Sequence, residues 1–338
     1  MTTIAVVGAT GLVGGTMLQV LIERGLADDV RALASGRSAG STVVVGDRTF
    51  AVEEATPAAF AGVEIALFSA GADVSRTLAP EAVAAGCVVI DNSSAWRMDP
   101  GVPLVVSQVN PGDLAEHEGI IANPNCSTMQ LAPLLAALRD AIGLRRVIVD
   151  TYQSVSGTGA DAVAELEDQI SAHVSGAAKQ ASVYPHPIAF NALPEIDAFL
   201  ESGYTKEEWK VVAESRKILH LPDLAISCTA VRVPVFVSHS EAVHVELERP
   251  LTPADARELF ASVPGVSVVD DPAAHRYPLA TDAAGSDLIY VGRIRADASL
   301  ADGRGLAFWV VSDNLRKGAA TNAVEILELL VRGRTSAA

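Results

Sequence analysis

Four apolar residues, Ile4–Val7, run directly into Gly8-Ala9-Thr10-Gly11-Leu12-Val13-Gly14, and helical spacing follows at Leu12, Val13, Leu18, Leu21 and Ile22. A short, continuously apolar strand that meets a glycine-rich turn and then a helix constrains the fold more than any other segment of the chain. Glycines permit the tight turn and let backbone N–H groups approach a pyrophosphate, which the positive end of the helix also attracts. The spacing is GxxGxxG, a variant of the GxGxxG dinucleotide fingerprint. The expectation is a nucleotide-binding strand–turn–helix unit.

Further buried-strand patterns occur at residues 30–34, 64–68 and 87–90, with a helix expected over 73–85 and a polar loop over 35–41. Strands and helices in alternation predict a doubly wound parallel sheet. Beyond residue 126 the pattern changes. Helices are expected over 127–142 and 159–175, a strand over 145–152, and more alternating strands over 226–233, 241–248, 288–295 and 306–311. This predicts a mixed or antiparallel sheet with helices on one face. A final helix is expected over 314–331, with a frayed tail after it. With 338 residues and roughly 150 per domain, the chain has room for two cores. The overall expectation is α/β: a Rossmann-type dinucleotide-binding domain over 1–126, joined by the helix 314–332, and an α+β catalytic, substrate and dimerisation domain over 127–313.

Charge and cysteine content exclude several classes. The chain has 41 acidic and 25 basic residues, a formal charge of −16, which argues against nucleic acid or an anionic membrane surface as a partner. No apolar run reaches the about 18 residues of a membrane span, and no basic segment precedes the apolar start as in a signal peptide. Cys87, Cys126 and Cys228 are too few and too scattered for a disulfide framework or a metal site, and His186 and His244 show no metal spacing. A soluble protein of a reducing, cytoplasmic compartment is expected, with no metal.

Two segments carry chemistry. After the second strand, an NAD site usually places Asp or Glu against the ribose 2′-hydroxyl; here stands Ala34-Ser35-Gly36-Arg37-Ser38, whose guanidinium and hydroxyls suit the 2′-phosphate of NADP. Asn123-Pro124-Asn125-Cys126-Ser127-Thr128 leads straight into a helix, whose positive end favours thiolate and whose N–H groups could receive an oxyanion. Cys87 and Cys228 lie inside apolar strand patterns and are expected to be inert. A nucleotide fold with an activated thiol points to aldehyde oxidation through a covalent thioester.

Seven segments in order then carry a family resemblance. They are the Gly8–Gly14 turn, Asp91-Asn92-Ser93-Ser94-Ala95-Trp96-Arg97-Met98, the Asn123–Thr128 segment, Tyr152-Gln153-Ser154-Val155-Ser156-Gly157, Glu207-Glu208-Trp209-Lys210, Arg232-Val233-Pro234-Val235 with His239-Ser240-Glu241, and Asp313-Asn314-Leu315-Arg316-Lys317-Gly318-Ala319-Ala320. Together the chain resembles the aspartate-semialdehyde dehydrogenases. The resemblance implies NADP-dependent interconversion of L-aspartyl 4-phosphate and L-aspartate 4-semialdehyde, serving lysine, threonine, methionine and diaminopimelate synthesis. It implies Cys126 as the acyl-thioester nucleophile, His239 as general acid–base and Gln153 as the group orienting substrate near the sulfur. Arg97, Lys210 and Asn125 would hold phosphate, Arg232 the substrate α-carboxylate and Glu207 its α-ammonium; whether Glu207 or Glu208 points inward stays open at this stage. Cofactor contacts would come from Gly8, Thr10, Gly11, Leu12, Val13, Arg37, Ser38, Ser156, Gly157 and Asn314. The implied partners are the small-molecule substrate and phosphate, in a homodimer or homotetramer. The departures, Trp96 where phenylalanine is common and Ala192 in Asn191-Ala192-Leu193-Pro194 where valine is usual, touch no position given a chemical role.

A histidine of near-neutral pKa suits such a role, since it takes a proton in one direction and returns it in the other. Two other readings share much of the pattern: an enzyme like N-acetyl-glutamyl-phosphate reductase, whose blocked amine needs no acid at Glu207, and a noncatalytic NADP-binding homologue.

Overall fold

A computed structural model describes residues 2–300 and 302–337. It separates into two units, residues 1–125 with 318–338, and residues 126–317.

In the first unit, β1 (Ile4–Val7), α1 (Leu12–Glu23), β2 (Val30–Ala34), β3 (Thr42–Val45), β4 (Arg48–Glu54), β5 (Ile65–Phe68), α2 (Ala72–Ala84), β6 (Val88–Asp91) and β7 (Ile120–Ala122) follow in chain order. The seven strands form one sheet in the order β3-β4-β2-β1-β5-β6-β7. All neighbours are parallel except the edge pair β3/β4. β1 lies where the strand order reverses, the position at which doubly wound sheets bind ligands. Its unbroken apolar run has a direct cause. Ile4 and Val6 pack with Met17, Leu18 and Leu21 of α1 on one face, while Ala5 and Val7 pack with Phe60, Phe68 and Ala79 on the other. The helix Asn322–Ala337 completes the first of these layers through Val324, Ile326 and Leu327. It extends past Val331, where a frayed tail was expected, and a π-helical stretch, Arg316–Thr321, precedes it.

In the second unit come α3 (Cys126–Ala141), β8 (Leu144–Gln153), α4 (Ala160–Ser175), α5 (Lys206–Ile218), β9 (Ala225–Arg232), β10 (His239–Leu247), α6 (Pro253–Ala261), β11 (Val266–Val268), the single turn α7 (Ala280–Ala283), β12 (Ile289–Ala296) and β13 (Gly305–Ser312). Six strands form a mixed sheet, β11-β12-β13-β10-β8-β9, in which β8/β9 and β11/β12 are parallel and the rest antiparallel. Alternate residues of β10 are buried, His239, Glu241, Val243, Val245 and Leu247 among them, so one face of the sheet is covered. The apolar face of α4 is covered within the unit: Ala162 and Leu166 pack with Val155, Ile188 and Leu193. Among the described residues no helix is long and apolar enough to cross a membrane.

Candidate active site

The glycine-rich turn of the first unit is dictated by contact. Gly8 has φ +89°, and a Cβ there would meet the Ser69 carbonyl carbon at 2.9 Å; a Cβ on Gly14 would stand 2.1 Å from the Gly8 oxygen. Helix α1 begins with no side-chain cap and no acid in its first turn, which leaves its first N–H groups to an anion. A cavity of about 750 Å³ opens beside this end, lined by Gly8, Thr10, Gly11 and Arg37. Leu12 and Val13 start the helix, and Ser38 donates its N–H to the Ser35 carbonyl in the turn beyond Arg37. The donor set and the close backbone approach fit a dinucleotide. Glu54, paired with Ala34 at the end of the neighbouring strand, also lines this cavity, with its Oε1 2.8 Å from where a Gly36 Cβ would lie.

Arg97 and Asn125, both buried, belong to the first unit as well. Arg97 donates from Nε to the Asn123 carbonyl at 2.9 Å and from Nη2 to the Asn92 carbonyl at 2.8 Å. The loop that carries it is held by Ser93, whose hydroxyl donates to the Asp91 carboxylate at 2.6 Å.

The second unit gathers the other polar positions. Cys126 is the first residue of α3 and is partly exposed, whereas Cys87 and Cys228 are buried. Burial pushes both of those thiols up, and at Cys228 nearby acidic groups, Glu208 and Glu207 among them, add to it, so neither supplies thiolate. Beside α3, Gln153 at the end of β8 donates its amide to Ser127 Oγ at 3.0 Å and to Glu207 Oε1 at 3.3 Å. Glu207 in turn accepts from Lys210 Nζ at 3.1 Å, and Lys210 also binds Asp197 at 2.9 Å. Its own burial opposes the charge, but those two carboxylates win and hold the Lys210 ammonium above its usual range.

The choice between the neighbouring glutamates resolves through local structure. Glu208 is the third residue of a capping box: its Oε2 accepts from the Thr205 N–H at 2.7 Å while Thr205 Oγ1 accepts from the Glu208 N–H. Its Oε1 accepts from the Ala230 N–H of β9 at 3.0 Å. Glu208 therefore anchors α5, and Glu207 faces Gln153 and Lys210. Glu208→Ala should lower stability by about 1–3 kcal/mol, seen in urea unfolding, with KM for substrate unchanged.

His239 opens β10 and is fully buried. The Ser154 backbone N–H donates to its Nδ1 at 3.1 Å. A peptide N–H can only donate, so Nδ1 is the acceptor and the neutral ring carries its proton on Nε2. Burial, reinforced by the Arg232 charge, pulls the imidazole down to about 3. Where the sequence suggests a near-neutral histidine, the ring stands in surroundings that lower its proton affinity. Arg232, buried at the end of β9, donates from Nη1 to the Ser154 carbonyl at 2.7 Å. A Cβ on Gly157 would come within 3.0 Å of Arg232 Nη1 and 3.2 Å of His239 Nε2, so glycine keeps that space open. Asn314 is a buried hub: its Oδ1 accepts from the Ser238 N–H at 2.9 Å and from the Ser154 hydroxyl at 3.0 Å, and its amide donates to Ser156 Oγ at 3.0 Å.

Cys126, Gln153, Ser156, Gly157, Glu207, Lys210, Arg232, His239 and Asn314 therefore lie in the second unit, and Gly8, Thr10, Gly11, Leu12, Val13, Arg37, Ser38, Arg97 and Asn125 in the first. Sequence reasoning missed Ser154, Glu54 and the structural role of Glu208. The Thr205–Glu208 spacing is itself a capping-box signature and was the available signal for the last.

Comparisons with known proteins agree with this arrangement. The family models of the semialdehyde dehydrogenase NAD-binding domain and the semialdehyde dehydrogenase dimerisation domain match residues 3–117 and 135–317. Aspartate-semialdehyde dehydrogenases of Aquifex aeolicus and Bacillus subtilis are each 50% identical, over 97% of this chain and 98% and 96% of their own. The crystal structure of Vibrio cholerae aspartate semialdehyde dehydrogenase II complexed with ASA superposes with a TM-score of 0.94 at 45% identity, covering 98% of each chain. With a nicotinamide-nucleotide fold, a partly exposed thiol heading a helix, and identity at this level along almost the whole length, the chain belongs to the aspartate-semialdehyde dehydrogenase family of oxidoreductases.

Proposed function

We propose that the protein interconverts L-aspartate 4-semialdehyde and L-aspartyl 4-phosphate, with NADP and phosphate, through an acyl thioester on Cys126. The observation that carries this reading is the pairing of two buried, opposite charges about Gln153: Glu207, which accepts from the Gln153 amide, and Arg232, the register partner of Gln153 across β8/β9. A carboxylate and a guanidinium so placed complement the α-ammonium and α-carboxylate of an amino acid. An N-acetylated substrate has no ammonium, so Glu207 favours the aspartyl compound.

In the reducing direction Cys126 displaces phosphate from the acyl phosphate, aided by the positive end of α3. Arg97, Asn125 and Lys210 are proposed as phosphate-binding groups. The first unit would hold the nicotinamide nucleotide, whose ring would supply or accept the hydride. His239, neutral and with its proton on Nε2, donates a hydrogen bond to the oxyanion of the thiohemiacetal; collapse then breaks the C–S bond and returns thiolate. This division leaves thiol activation to α3 and charge stabilisation to the imidazole.

Arg37 in the nucleotide cavity supports NADP over NAD, while Glu54 on the same wall is the group that would accept from a free 2′-hydroxyl. Of the remaining positions, Thr10, Gly11, Leu12 and Val13 would hold the pyrophosphate and Ser38 would join Arg37 at the 2′-phosphate. Asn314, Ser156 and Gly157 set the surroundings of His239. A second copy is proposed to cover the outer sheet face, where the Tyr152 and Trp309 rings meet at a tilt with centroids 5.4 Å apart and Tyr152 is 39% exposed. The three free cysteines suit the cytoplasm, where the semialdehyde would feed lysine, threonine, methionine and diaminopimelate synthesis.

The deciding experiment is reduction of NADP by L-aspartate semialdehyde with and without phosphate, with NAD in parallel. Turnover that needs phosphate and prefers NADP is expected; turnover indifferent to phosphate sinks the reading. Arg37→Ala should raise KM for NADP about 10- to 100-fold, as loss of a charge-assisted bond does, and leave KM for NAD nearly unchanged.

A further inference from the structure

One fully buried ionisable group has no part in the reaction above. Glu241 stands two residues after His239 on β10, hence on the same sheet face, with no solvent exposure. Among the described residues neither of its carboxyl oxygens has a hydrogen-bond partner, and neither does the amide nitrogen of Gln130. Yet the Gln130 side chain bears directly on that carboxyl. Gln130 follows Cys126 by four residues on α3, one turn along the same helix face. Its oxygen is already tied to the sheet, accepting from Ser312 Oγ at 2.7 Å, and Ser312 is the register partner of His239 across β10/β13. A second row of side chains thus underlies the first: Gln130 beneath Cys126, Glu241 beneath His239.

An ionised carboxylate can only accept, so it would take one bond from the Gln130 amide and leave its other lone pairs buried and unsatisfied. A protonated carboxyl complements a primary amide at both atoms. Its O–H donates to the free lone pair of Gln130 Oε1 while its carbonyl accepts from Gln130 Nε2. Resting on the reading that Cys126 and His239 work as a couple, we propose that Glu241 is a neutral positioning residue whose acid–amide pair with Gln130 locks the thiol-bearing helix to the histidine-bearing strand. Burial favours the same state, pushing this carboxyl up to about 8. His239 shares its strand face, and Cys228 on β9 is the thiol near enough to sense Glu241, as it senses Glu208, Glu207 and Asp150; β8 and β13 meet it with Thr151 and Val310. As pH rises through about 8 the O–H is lost, the pair opens and the couple loosens.

The test compares kcat against pH for the native enzyme, Glu241→Gln and Glu241→Leu, alongside the pH dependence of Cys126 alkylation by iodoacetamide, which the buried Cys87 and Cys228 escape. An amide at position 241 pairs with Gln130 at every pH. Glu241→Gln should keep native kcat at neutral pH and extend its plateau upward by about one pH unit. Glu241→Leu should lose about 10- to 100-fold in kcat with little change in KM. Profiles of the native enzyme and Glu241→Gln that superimpose overturn the proposal, as does Glu241→Leu with native kcat. Should the leucine variant fail to fold, the glutamine profile decides. Alkylation reads the thiol without turnover, so a native protein inactive toward the semialdehyde would refute the proposed activity while leaving this test intact.

Discussion

Cys126→Ala should abolish phosphate-dependent NADP reduction, with a loss of about 10⁴-fold or more, because removing a covalent nucleophile leaves only binding and electrostatic catalysis. Cofactor affinity, followed by nucleotide fluorescence, should not change, since the Gly8–Gly14 cradle and Arg37 belong to the first unit. Unfolding midpoints should stay close to native, because Cys126 is partly exposed and its removal opens no core cavity. No acyl group should be trapped on the variant when it is mixed with the acyl phosphate and quenched with acid. A Cys126→Ala protein that turns over at the native rate would eliminate the thioester route, and the two buried cysteines could not replace it, because desolvation keeps their thiols protonated.

The second large effect is expected at Arg232. A buried guanidinium that grips a carboxylate contributes about 2–5 kcal/mol when its partner would otherwise be left unpaired, so Arg232→Leu should raise KM for the semialdehyde about 10²- to 10³-fold. Arg232→Lys should recover little of this, since a point charge cannot reproduce the two-pronged geometry. The substitution reaches His239 too. Arg232 is one of the causes that hold the imidazole low, so in Arg232→Leu the histidine should take up its proton at higher pH, visible as a new acid limb in the rate profile. An intact KM in the leucine variant would remove Arg232 from the substrate site and leave its bond to the Ser154 carbonyl as its whole role.

Much of the first unit was legible because its inner strands are buried on both faces. β1 and β5, buried at every residue, must be apolar at successive positions, and such runs stand out against the flanking residues. The edge pair β3/β4 escaped, since Val44 is exposed and β4 buries only Phe50 and Val52 between charged ends, a pattern too short to stand out. Glu54 was lost with it. Site residues were legible where the chemistry demands one residue type, as a thiol at the head of a helix or glycine where a Cβ would collide. Ser154 was not, because its contribution is a backbone N–H aimed at His239, and every residue but proline owns one. The lowered proton affinity of His239 was not legible for a related reason. It depends on complete burial and on a cation from another strand, neither of which is written in the residues beside it.

The layer shared by Met17, Leu18, Val324 and Leu327 has a consequence for how the protein is made. The second unit is one continuous stretch of chain, so a ribosome delivers all of it before the helix Asn322–Ala337 emerges. The first unit is begun earliest and finished latest. Throughout synthesis of the second unit the apolar side chains that this helix covers on α1 and β6 stay open to chaperones or to neighbouring chains. The second unit thereby matures beside an unfinished neighbour, and the nucleotide-binding half becomes whole only as the closing helix arrives.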